Sequence, residues 1–387
     1  MNIKSKNIKE YLTASGKKRF KFIAYLGQDE STGKPIQVRK QGYKSYEDAK
    51  KDLLKLKNQI STGTYAPREK RFKFKKVYDD WKNIYIDTVK ESTYATTERI
   101  MKQHVLPELG ELYIDTIKII NCQEAVNKWF KEAPKSYRKY IRYANQVFNY
   151  AIRLELIETN PMEKVFRPKV REERESTKLF YEKNELLKYL RFAKEFRQEA
   201  YTLFYTFAYT GLRCGEAIGL EWKDINLQKR TLTVDRTVST GINNRKILQT
   251  PKTYNSSRKI TLTPETVKVL ENWKREQQRA LKIINLNNNQ FVFNGFVNNM
   301  FANVPLSTTT IDRWNCTIAK KAGLEHIKVH GFRHTHASLL FASGASMQDV
   351  KERLGHASIT TTMNVYTHLT NQQKEQTIAD FSSYMES

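Results

Sequence analysis

The sequence predicts a multidomain protein that is mainly α-helical with small β parts. A chain of 387 residues is longer than one compact core usually accommodates. Apolar residues recur at helical spacing along most of it, whereas alternating, strand-like segments are confined to a region near the N-terminus and to about residues 225–262. Hydrophobic residues make up 39% of the chain, which is enough to build several cores.

The first predicted domain, residues 1–66, is a three-stranded sheet with one helix. Alternating residues at 19–26 and an extended stretch at 35–41 flank a turn-like segment, a pattern typical of a hairpin. Ser45, with Asp48 three residues later, is a candidate N-cap, and Ala49, Leu53 and Leu56 continue at helical spacing.

The second predicted domain, residues 70–168, is a helical bundle. We expect Thr93 to cap a helix that stops before Pro107, and Asn121 to cap the next helix. A further helix is expected at about 136–156, where apolar residues recur at helical spacing and one flank is basic.

The third predicted domain, residues 177–387, is mixed α+β, because helical patterns lie on both sides of the strands at 225–262. The polar segment before it, 165–178, is interpreted as a linker. An amphipathic segment at 376–384, in the C-terminal tail, is expected to pack on a neighbouring protomer.

Net charge indicates a polyanionic partner. The chain has 67 Lys+Arg against 41 Asp+Glu, a net charge of +26, and residues 1–70 alone have 17 − 7 = +10. A solvated helix face remains an alternative explanation for the basic residues of the bundle. The candidate DNA-contacting residues are Lys17, Lys18, Arg19, Lys21, Arg39 and Lys40 in the first domain and Lys135, Arg138, Lys139 and Arg142 in the second.

Other signals favour a cytoplasmic protein without a membrane segment. Apolar runs fall far short of the roughly 20 residues that a membrane span needs, and the N-terminus lacks a signal-peptide pattern. Three scattered cysteines without a CxxC pair give neither a disulfide framework nor a zinc knuckle.

Four short motifs in the third domain contain chemically capable residues. Gly211 is expected to break a helix, so that Arg213 and Glu216 fall in the first turn of the next one. Lys252 lies in a turn-like stretch between strands. The others are His330-Gly-Phe-Arg333 and the segment from Leu354-Gly-His356 to Tyr366.

Each motif alone has an ordinary structural explanation, but five of the seven histidines fall between residues 330 and 368. His330 and His334 have the spacing of a zinc-binding helix, yet a zinc protease would have Glu where Gly331 stands, so no metal site is expected. His and Arg three residues apart at a helix N-terminus instead face the same way and suit an oxyanion.

These groups match the needs of phosphodiester cleavage. Two guanidiniums suit the extra negative charge of a pentavalent transition state, and a Lys or His can protonate the leaving oxygen. A tyrosine nucleophile keeps the ester energy in a covalent bond, so rejoining needs neither ATP nor a metal or other cofactor. The absence of a GxxxxGK[ST] motif is consistent with that chemistry.

The ordered set resembles the active site of the tyrosine recombinases, or phage-integrase family. The matching motifs are Thr210-Gly-Leu-Arg, His330-x-x-Arg-His, Leu354-Gly-His and Thr362…Tyr366-x-His. The resemblance implies that Tyr366 is the nucleophile that forms a 3′-phosphotyrosine. It also implies the roles of the other residues: Arg213 and Arg333 stabilise the phosphorane, Lys252 protonates the leaving 5′ oxygen, His330 assists proton transfer, His356 hydrogen-bonds the scissile phosphate and Glu216 buttresses Arg213.

The resemblance further implies a site-specific integrase of a phage or conjugative transposon that exchanges strands through a Holliday junction. The first domain resembles an arm-type DNA-binding domain and the second a core-binding domain. Expected partners are duplex DNA with core-type and arm-type sites, three further copies of the chain in a homotetramer, an excisionase and a host DNA-bending protein, with action at the bacterial nucleoid. The alternatives are a chromosome or plasmid resolution recombinase, a type IB topoisomerase and a non-catalytic architectural DNA-binding protein.

Overall fold

The computed structural model describes residues 8–28, 35–61, 71–169, 178–250, 257–282, 287–297 and 300–356, together with Ser358, Met363 and Met385. The chain divides into two compact units, Met1–Phe72 and Lys73–Ser387. The turn at 29–34, Lys252, Tyr366 and the tail segment 376–384 lie outside the described residues. Within the described ranges, no helix is both long enough and apolar enough to cross a bilayer.

The first unit is a three-stranded antiparallel sheet covered by one helix. Its strands, in spatial order, are β1 (Ile8–Leu12), β2 (Lys18–Gln28) and β3 (Pro35–Tyr43), and α1 spans Tyr46–Ser61. Alternation along β2 buries Phe22 and Ala24 against Ala49, Leu53 and Leu56 of α1. The Ser45 hydroxyl accepts a hydrogen bond from the Asp48 N–H at 3.1 Å, so the predicted cap is confirmed.

The second unit begins with a helical region. Its helices are α2 (Phe74–Tyr85), α3 (Glu91–Ile100), the short α4 (Leu106–Leu109), α5 (Ile119–Glu132) and α6 (Tyr137–Arg153), and a π-helical segment, Met101–Val105, joins α3 to α4. The largest fully buried side chains of this region include Trp129, Tyr137 and Phe148. One face of α6 is therefore committed to the core, and its basic residues lie on the opposite face.

Both cap predictions in this region are wrong. The helix α3 begins at Glu91, two residues before Thr93, and α5 begins at Ile119. Asn121 lies inside α5, where its side-chain oxygen accepts from the Lys118 N–H at 3.0 Å. Pro107 does not stop the helical path, because it occupies the first turn of α4, where a backbone N–H has no intrahelical partner.

The remainder of the second unit is mixed α+β, as predicted. Two helices, α7 (Lys183–Phe196) and α8 (Gln198–Thr210), lead to the one-turn α9 (Cys214–Ala217). Strands β4 (Ile225–Asn226), β5 (Thr231–Val234) and β8 (Arg258–Thr261) form one sheet, and β6 (Thr237–Thr240) pairs with β7 (Lys246–Gln249). Then follow α10 (Pro264–Leu281), the hairpin β9 (Asn294–Val297) and β10 (Met300–Pro305), α11 (Thr308–Lys321), α12 (Gly331–Ala342) and α13 (Met347–Leu354).

A cluster of aromatic rings fixes α12 against the centre of this region. Phe332 lies 5.1 Å from Phe204 of α8 and 5.0 Å from Tyr189 of α7, measured between ring centroids, and all three side chains are fully buried. Aromatic contacts of this kind hold an element more tightly than burial alone would. The N-terminal end of α12, which begins just after His330, is thereby held in place.

The β6–β7 hairpin contacts the start of α3. The Glu91 carboxylate accepts from the Arg245 guanidinium at 3.0 Å and from the Ile242 N–H at 3.2 Å. Ser92 donates to the Gln249 side chain at 2.9 Å, and the Lys90 ammonium donates to the Thr250 carbonyl at 2.9 Å. The helical region and the mixed region of the second unit are thus joined by polar contacts.

Candidate active site

The first site arginine emerges from a turn between two helices. The helix α8 ends at Gly211, whose φ of +66° is a left-handed conformation that favours glycine. Arg213 follows as the residue that precedes α9, so its side chain leaves the chain at a helix N-terminus. The predicted break at Gly211 and the new helix after Arg213 are both confirmed.

The carboxylate of Glu216 is held between two arginines. It accepts from the Arg213 guanidinium at 2.7 Å and, through both oxygens, from the Arg258 guanidinium at 3.2 and 2.8 Å. Burial would raise the pKa of this carboxyl, but hydrogen bonds and charge from Arg258 and Arg213 outweigh burial and lower its pKa. Glu216 is therefore a fixed anion beneath the two guanidiniums.

The second site arginine, Arg333, is in the first turn of α12 and is 2% exposed. Its guanidinium donates to the Gly211 carbonyl and to the Leu354 carbonyl, both at 2.7 Å. Burial and the nearby positive charge of Arg213 lower the pKa of Arg333 to about 9. The group is consequently a cation at neutral pH and is held in one orientation by two carbonyl oxygens.

Three consecutive carbonyl oxygens at the end of α13 receive three arginines. The Arg353 oxygen accepts from Arg258 at 2.9 Å, the Leu354 oxygen from Arg333 at 2.7 Å and the Gly355 oxygen from Arg213 at 3.2 Å. The carboxyl end of a helix has unpaired carbonyls and partial negative charge, so it is a suitable dock for cations. We call this group of carbonyls, residues 353–355, the α13 carboxyl end.

Two neutral histidines lie beside the arginines. Burial and the positive charges of neighbouring groups lower the pKa of His330 to about 4 and that of His356 to about 3. His356 directly follows the α13 carboxyl end in the chain and is 9% exposed, and the largest of the neighbouring charges that lower its pKa are those of Arg333 and Arg213. At neutral pH each ring can donate through one nitrogen and accept through the other.

A third histidine belongs to the framework of the site. His336 Nδ1 lies 2.7 Å from the Ala208 carbonyl, and His336 Nε2 accepts from the Arg353 Nε–H at 3.0 Å. Burial lowers the pKa of His336 to about 3, so the ring is neutral, donates to Ala208 and accepts from Arg353. His336 thereby connects α8 to α13.

Of the six predicted catalytic residues, four lie in described parts of the chain: Arg213, His330, Arg333 and His356. They converge near the α13 carboxyl end, and Glu216 lies there too. Lys252 and Tyr366 fall outside those parts. Sequence reasoning missed Arg258 and Arg353, which complete the arginine network. The one available signal was that Arg258 lies six residues after Lys252, at the start of a predicted strand, where an arginine is ordinary.

The candidate DNA-contacting residues are found in both units of the chain. In the first unit Lys17, Lys18, Lys21 and Arg39 are exposed, Arg19 is half-buried, and Lys40 pairs with Asp52 at 2.9 Å. In the second unit Lys135, Arg138, Lys139 and Arg142 are all exposed, and the last three line a groove of about 580 Å³ together with Arg167. Arg167 was not predicted, because it lies in the polar segment 165–178 that was interpreted as a linker.

Comparison with known proteins identifies relatives of both regions of the second unit. The model for the phage integrase family matches residues 180–373, and the model for its N-terminal SAM-like domain matches residues 73–130. The ICEBs1 integrase of Bacillus subtilis (strain 168) is 32% identical over 247 residues, which cover 62% of this chain and 64% of that protein. A XerC-like tyrosine recombinase of Caldanaerobacter subterraneus subsp. tengcongensis is 31% identical over 304 residues, covering 75% of this chain and 77% of that protein.

Solved structures share the fold. The Tn1549 transposon integrase in complex with a circular intermediate DNA aligns with a TM-score of 0.63 at 21% identity, over 80% of this chain and 99% of that chain. A lambda integrase dimer bound to a core site aligns with a TM-score of 0.57 at 17% identity, over 94% of this chain and 95% of that chain.

Proposed function

Because the chain belongs to the phage integrase family, we propose that it is a site-specific DNA integrase that cuts and rejoins strands through a covalent tyrosine intermediate. The observation that carries the proposal is the convergence of Arg213, Arg333 and His356 at the α13 carboxyl end. Two cations and a neutral imidazole in one place are suited to a phosphate whose charge increases during the reaction. The match of the family model to residues 180–373 supports the same assignment.

The proposed reaction exchanges one phosphate ester for another. The Tyr366 oxygen attacks the scissile phosphorus, the bond from phosphorus to the 5′ oxygen breaks, and a 3′-phosphotyrosine forms. Lys252 gives a proton to the leaving 5′ oxygen, while His330 assists removal of the phenol proton. Attack by the 5′ hydroxyl of a partner strand then releases Tyr366, so the number of phosphodiester bonds is conserved and no ATP is consumed.

The arginines and His356 act on the non-bridging oxygens. Arg213 and Arg333 stabilise the pentavalent transition state, and His356 donates a hydrogen bond to the scissile phosphate. A neutral imidazole can donate one hydrogen bond, and a pKa of about 3 keeps His356 neutral throughout the physiological range. Glu216 holds the Arg213 guanidinium in place through a hydrogen bond and does not itself contact DNA.

We further propose that DNA is held by both regions of the second unit. The basic groove lined by Arg138, Lys139 and Arg142 would contact phosphates of a core-type site, and phosphate contacts supply most of the affinity. The first unit would bind arm-type sites of a mobile element and so control direction. The active assembly is a homotetramer, the form in which lambda integrase is bound to a Holliday junction. An excisionase and a host DNA-bending protein complete the partners, and the site of action is DNA in the bacterial cytoplasm.

The test is covalent capture on a nicked suicide duplex that contains a candidate core site. We expect wild type and a Tyr25→Phe control, altered at an exposed tyrosine of β2, to form a covalent protein–DNA adduct, and Tyr366→Phe to form none. Equal adduct with Tyr366→Phe would show that the nucleophile is assigned wrongly. Binding without adduct by every variant would favour an architectural DNA-binding protein, and relaxation of plasmids that lack any attachment site would favour a type IB topoisomerase.

The role of the first unit is tested by deletion of residues 1–65. We expect the shortened protein to cleave core sites at an unchanged rate and to integrate poorly, because arm-site binding is lost. Unchanged integration would contradict the arm-binding role and would favour a resolution recombinase. Loss of core cleavage would show that residues 1–65 are also needed by the cleaving unit.

A further inference from the structure

Arg258 is a buried arginine of the site's hydrogen-bond network, and the proposed chemistry gives it no part. It begins β8, its side chain is 6% exposed, and it bonds both oxygens of Glu216. We infer that Arg258 is a positioning residue for strand cleavage, which holds Glu216 and the α13 carboxyl end so that Arg213 and Arg333 face the scissile phosphate. The inference rests on the proposed function and adds a residue to it.

The bonds of Arg258, rather than its burial, argue against direct contact with DNA, because its Nε and both terminal nitrogens donate to the Arg353 carbonyl and to Glu216. The Arg213 side chain is 37% exposed, whereas those of Glu216 and Arg258 are 3% and 6% exposed. Of these three linked side chains, Arg213 is therefore the one most open to a phosphate, and Arg258 is linked to it through Glu216. Any effect of Arg258 on the reaction must pass through the groups that it holds.

The first effect of Arg258 is electrostatic. Glu216 is one anion in contact with two guanidiniums, so its charge is shared between Arg213 and Arg258. Without Arg258, Glu216 and Arg213 would form a closed pair of opposite charges, and Arg213 would present less positive potential to a phosphate. A buried carboxylate that has lost one of two partners is also left with uncompensated charge, which Arg213 alone would then have to balance.

The second effect is geometric. The Arg258 Nε–H holds the Arg353 carbonyl, which is adjacent in sequence to the two carbonyls that hold Arg333 and Arg213. Because the three carbonyls belong to one helix end, a shift of the first moves the other two. Orientation of two phosphate-binding guanidiniums thus depends on a third guanidinium that does not reach the phosphate.

The experiment compares two scissile groups in otherwise identical nicked suicide duplexes. One duplex has the ordinary phosphodiester, and the other has a methylphosphonate, in which a methyl group replaces one charged non-bridging oxygen. Arg258→Met removes the bonds and charge at similar volume. We expect it to slow adduct formation on the phosphodiester by about 10- to 100-fold, somewhat less than direct loss of a transition-state donor. On the methylphosphonate, where less charge needs stabilisation, the expected deficit is below about 5-fold.

Two further variants separate positioning from folding. Arg236→Met removes an arginine whose pairs, with Glu221 at 2.7 Å and with Asp224 at 3.0 Å, involve neither Glu216 nor the α13 carboxyl end, and should leave both cleavage rates unchanged. Arg258→Met combined with Glu216→Gln should recover part of the lost rate, because the unbalanced carboxylate is gone. Arg258→Lys, which keeps a charge but lacks the planar fork, should fall between wild type and Arg258→Met.

Several results would overturn the inference. An unchanged rate with Arg258→Met on the phosphodiester would do so, as would an equal deficit of that variant on both duplexes. If Arg258→Met does not fold, a wild-type rate with Arg258→Lys would also overturn it. Absence of adduct from wild type on any core site would instead reject the proposed function, so the two failures can be told apart.

Discussion

Gly211 provides a sharp test of how the site is packed. Its φ of +66° disfavours any side chain, and a Cβ added there would lie 2.5 Å from Leu354 Cδ2 and 2.6 Å from His336 Cδ2. Gly344 is a matched control, because its φ is +86° but no atom lies within 4 Å of an added Cβ. Gly211→Ala therefore introduces backbone strain and a steric clash, whereas Gly344→Ala introduces strain alone.

The expected magnitudes follow from these two terms. A left-handed conformation costs an alanine roughly 1–2 kcal/mol, and this cost applies to both variants. Overpacking a close-packed site costs about 1–3 kcal/mol more, and this applies only at Gly211. Gly211→Ala should lower the free energy of unfolding by about 2–5 kcal/mol and Gly344→Ala by about 1–2 kcal/mol. The smaller entropy of the unfolded chain with alanine, worth about 0.4–1 kcal/mol, cancels between them.

The assay is urea unfolding of the full chain, monitored by tryptophan fluorescence. This signal reports on the mixed region, because Trp222, Trp273 and Trp314 all lie there. The Gly211 carbonyl also holds Arg333, so Gly211→Ala should slow adduct formation while Gly344→Ala should not. A difference in unfolding free energy below about 0.5 kcal/mol between the variants would refute the packing argument, because overpacking would then cost less than its usual range.

Three further predictions concern pH, the hairpin contact and the basic groove. The pKa values of His330, His336 and His356 are lowered from 6.5 to about 4, 3 and 3, so below pH 6.5 the unfolded chain binds more protons than the folded chain. The free energy of unfolding should therefore be highest above pH 6.5 and should fall as the pH drops toward 4. Thermal unfolding at a series of pH values, without DNA, measures this change. Glu91→Ala should speed amide exchange in the β6–β7 hairpin, measured by mass spectrometry, and leave β5 and β8 protected. Lys139→Ala should weaken duplex binding and reduce the slope of log binding constant against log salt concentration by about one. Lys128→Ala, at a lysine paired with Glu108, should change neither quantity. Equal slopes for the two variants would show that the groove is not part of the DNA interface.

Sequence patterns predicted the elements better than their ends. Alternation in β2 and helical spacing in α1 specify which faces are buried, because local periodicity and burial coincide there. The start of α3 at Glu91 depends instead on contacts of that carboxylate with Ile242 and Arg245, about 150 residues away. Any Ser or Thr near an apolar run has the appearance of a cap, so the local sequence around Thr93 does not indicate that the helix begins two residues earlier.

In the site, too, the sequence predicts what is local, such as residue types, and misses what depends on long-range contacts. The motif words drew attention to Arg213, His330, Arg333 and His356, since their residue types suit phosphate chemistry. The motifs gave no indication that backbone carbonyls hold the arginines, because every residue has a carbonyl and only the fold aligns three of them. The role of Arg258 is hidden in the sequence for a related reason, because its partner Glu216 is 42 residues away in the chain.

The α13 carboxyl end also has a consequence for the order in which the protein matures. Its bonds to Arg213, Arg258 and Arg333 close loops of 142, 95 and 21 residues. During synthesis, the arginines cannot be gathered before residues 353–355 have left the ribosome, whereas the helical region with its basic groove is complete far earlier. A nascent or prematurely ended chain would therefore be able to hold DNA before it is able to cut it.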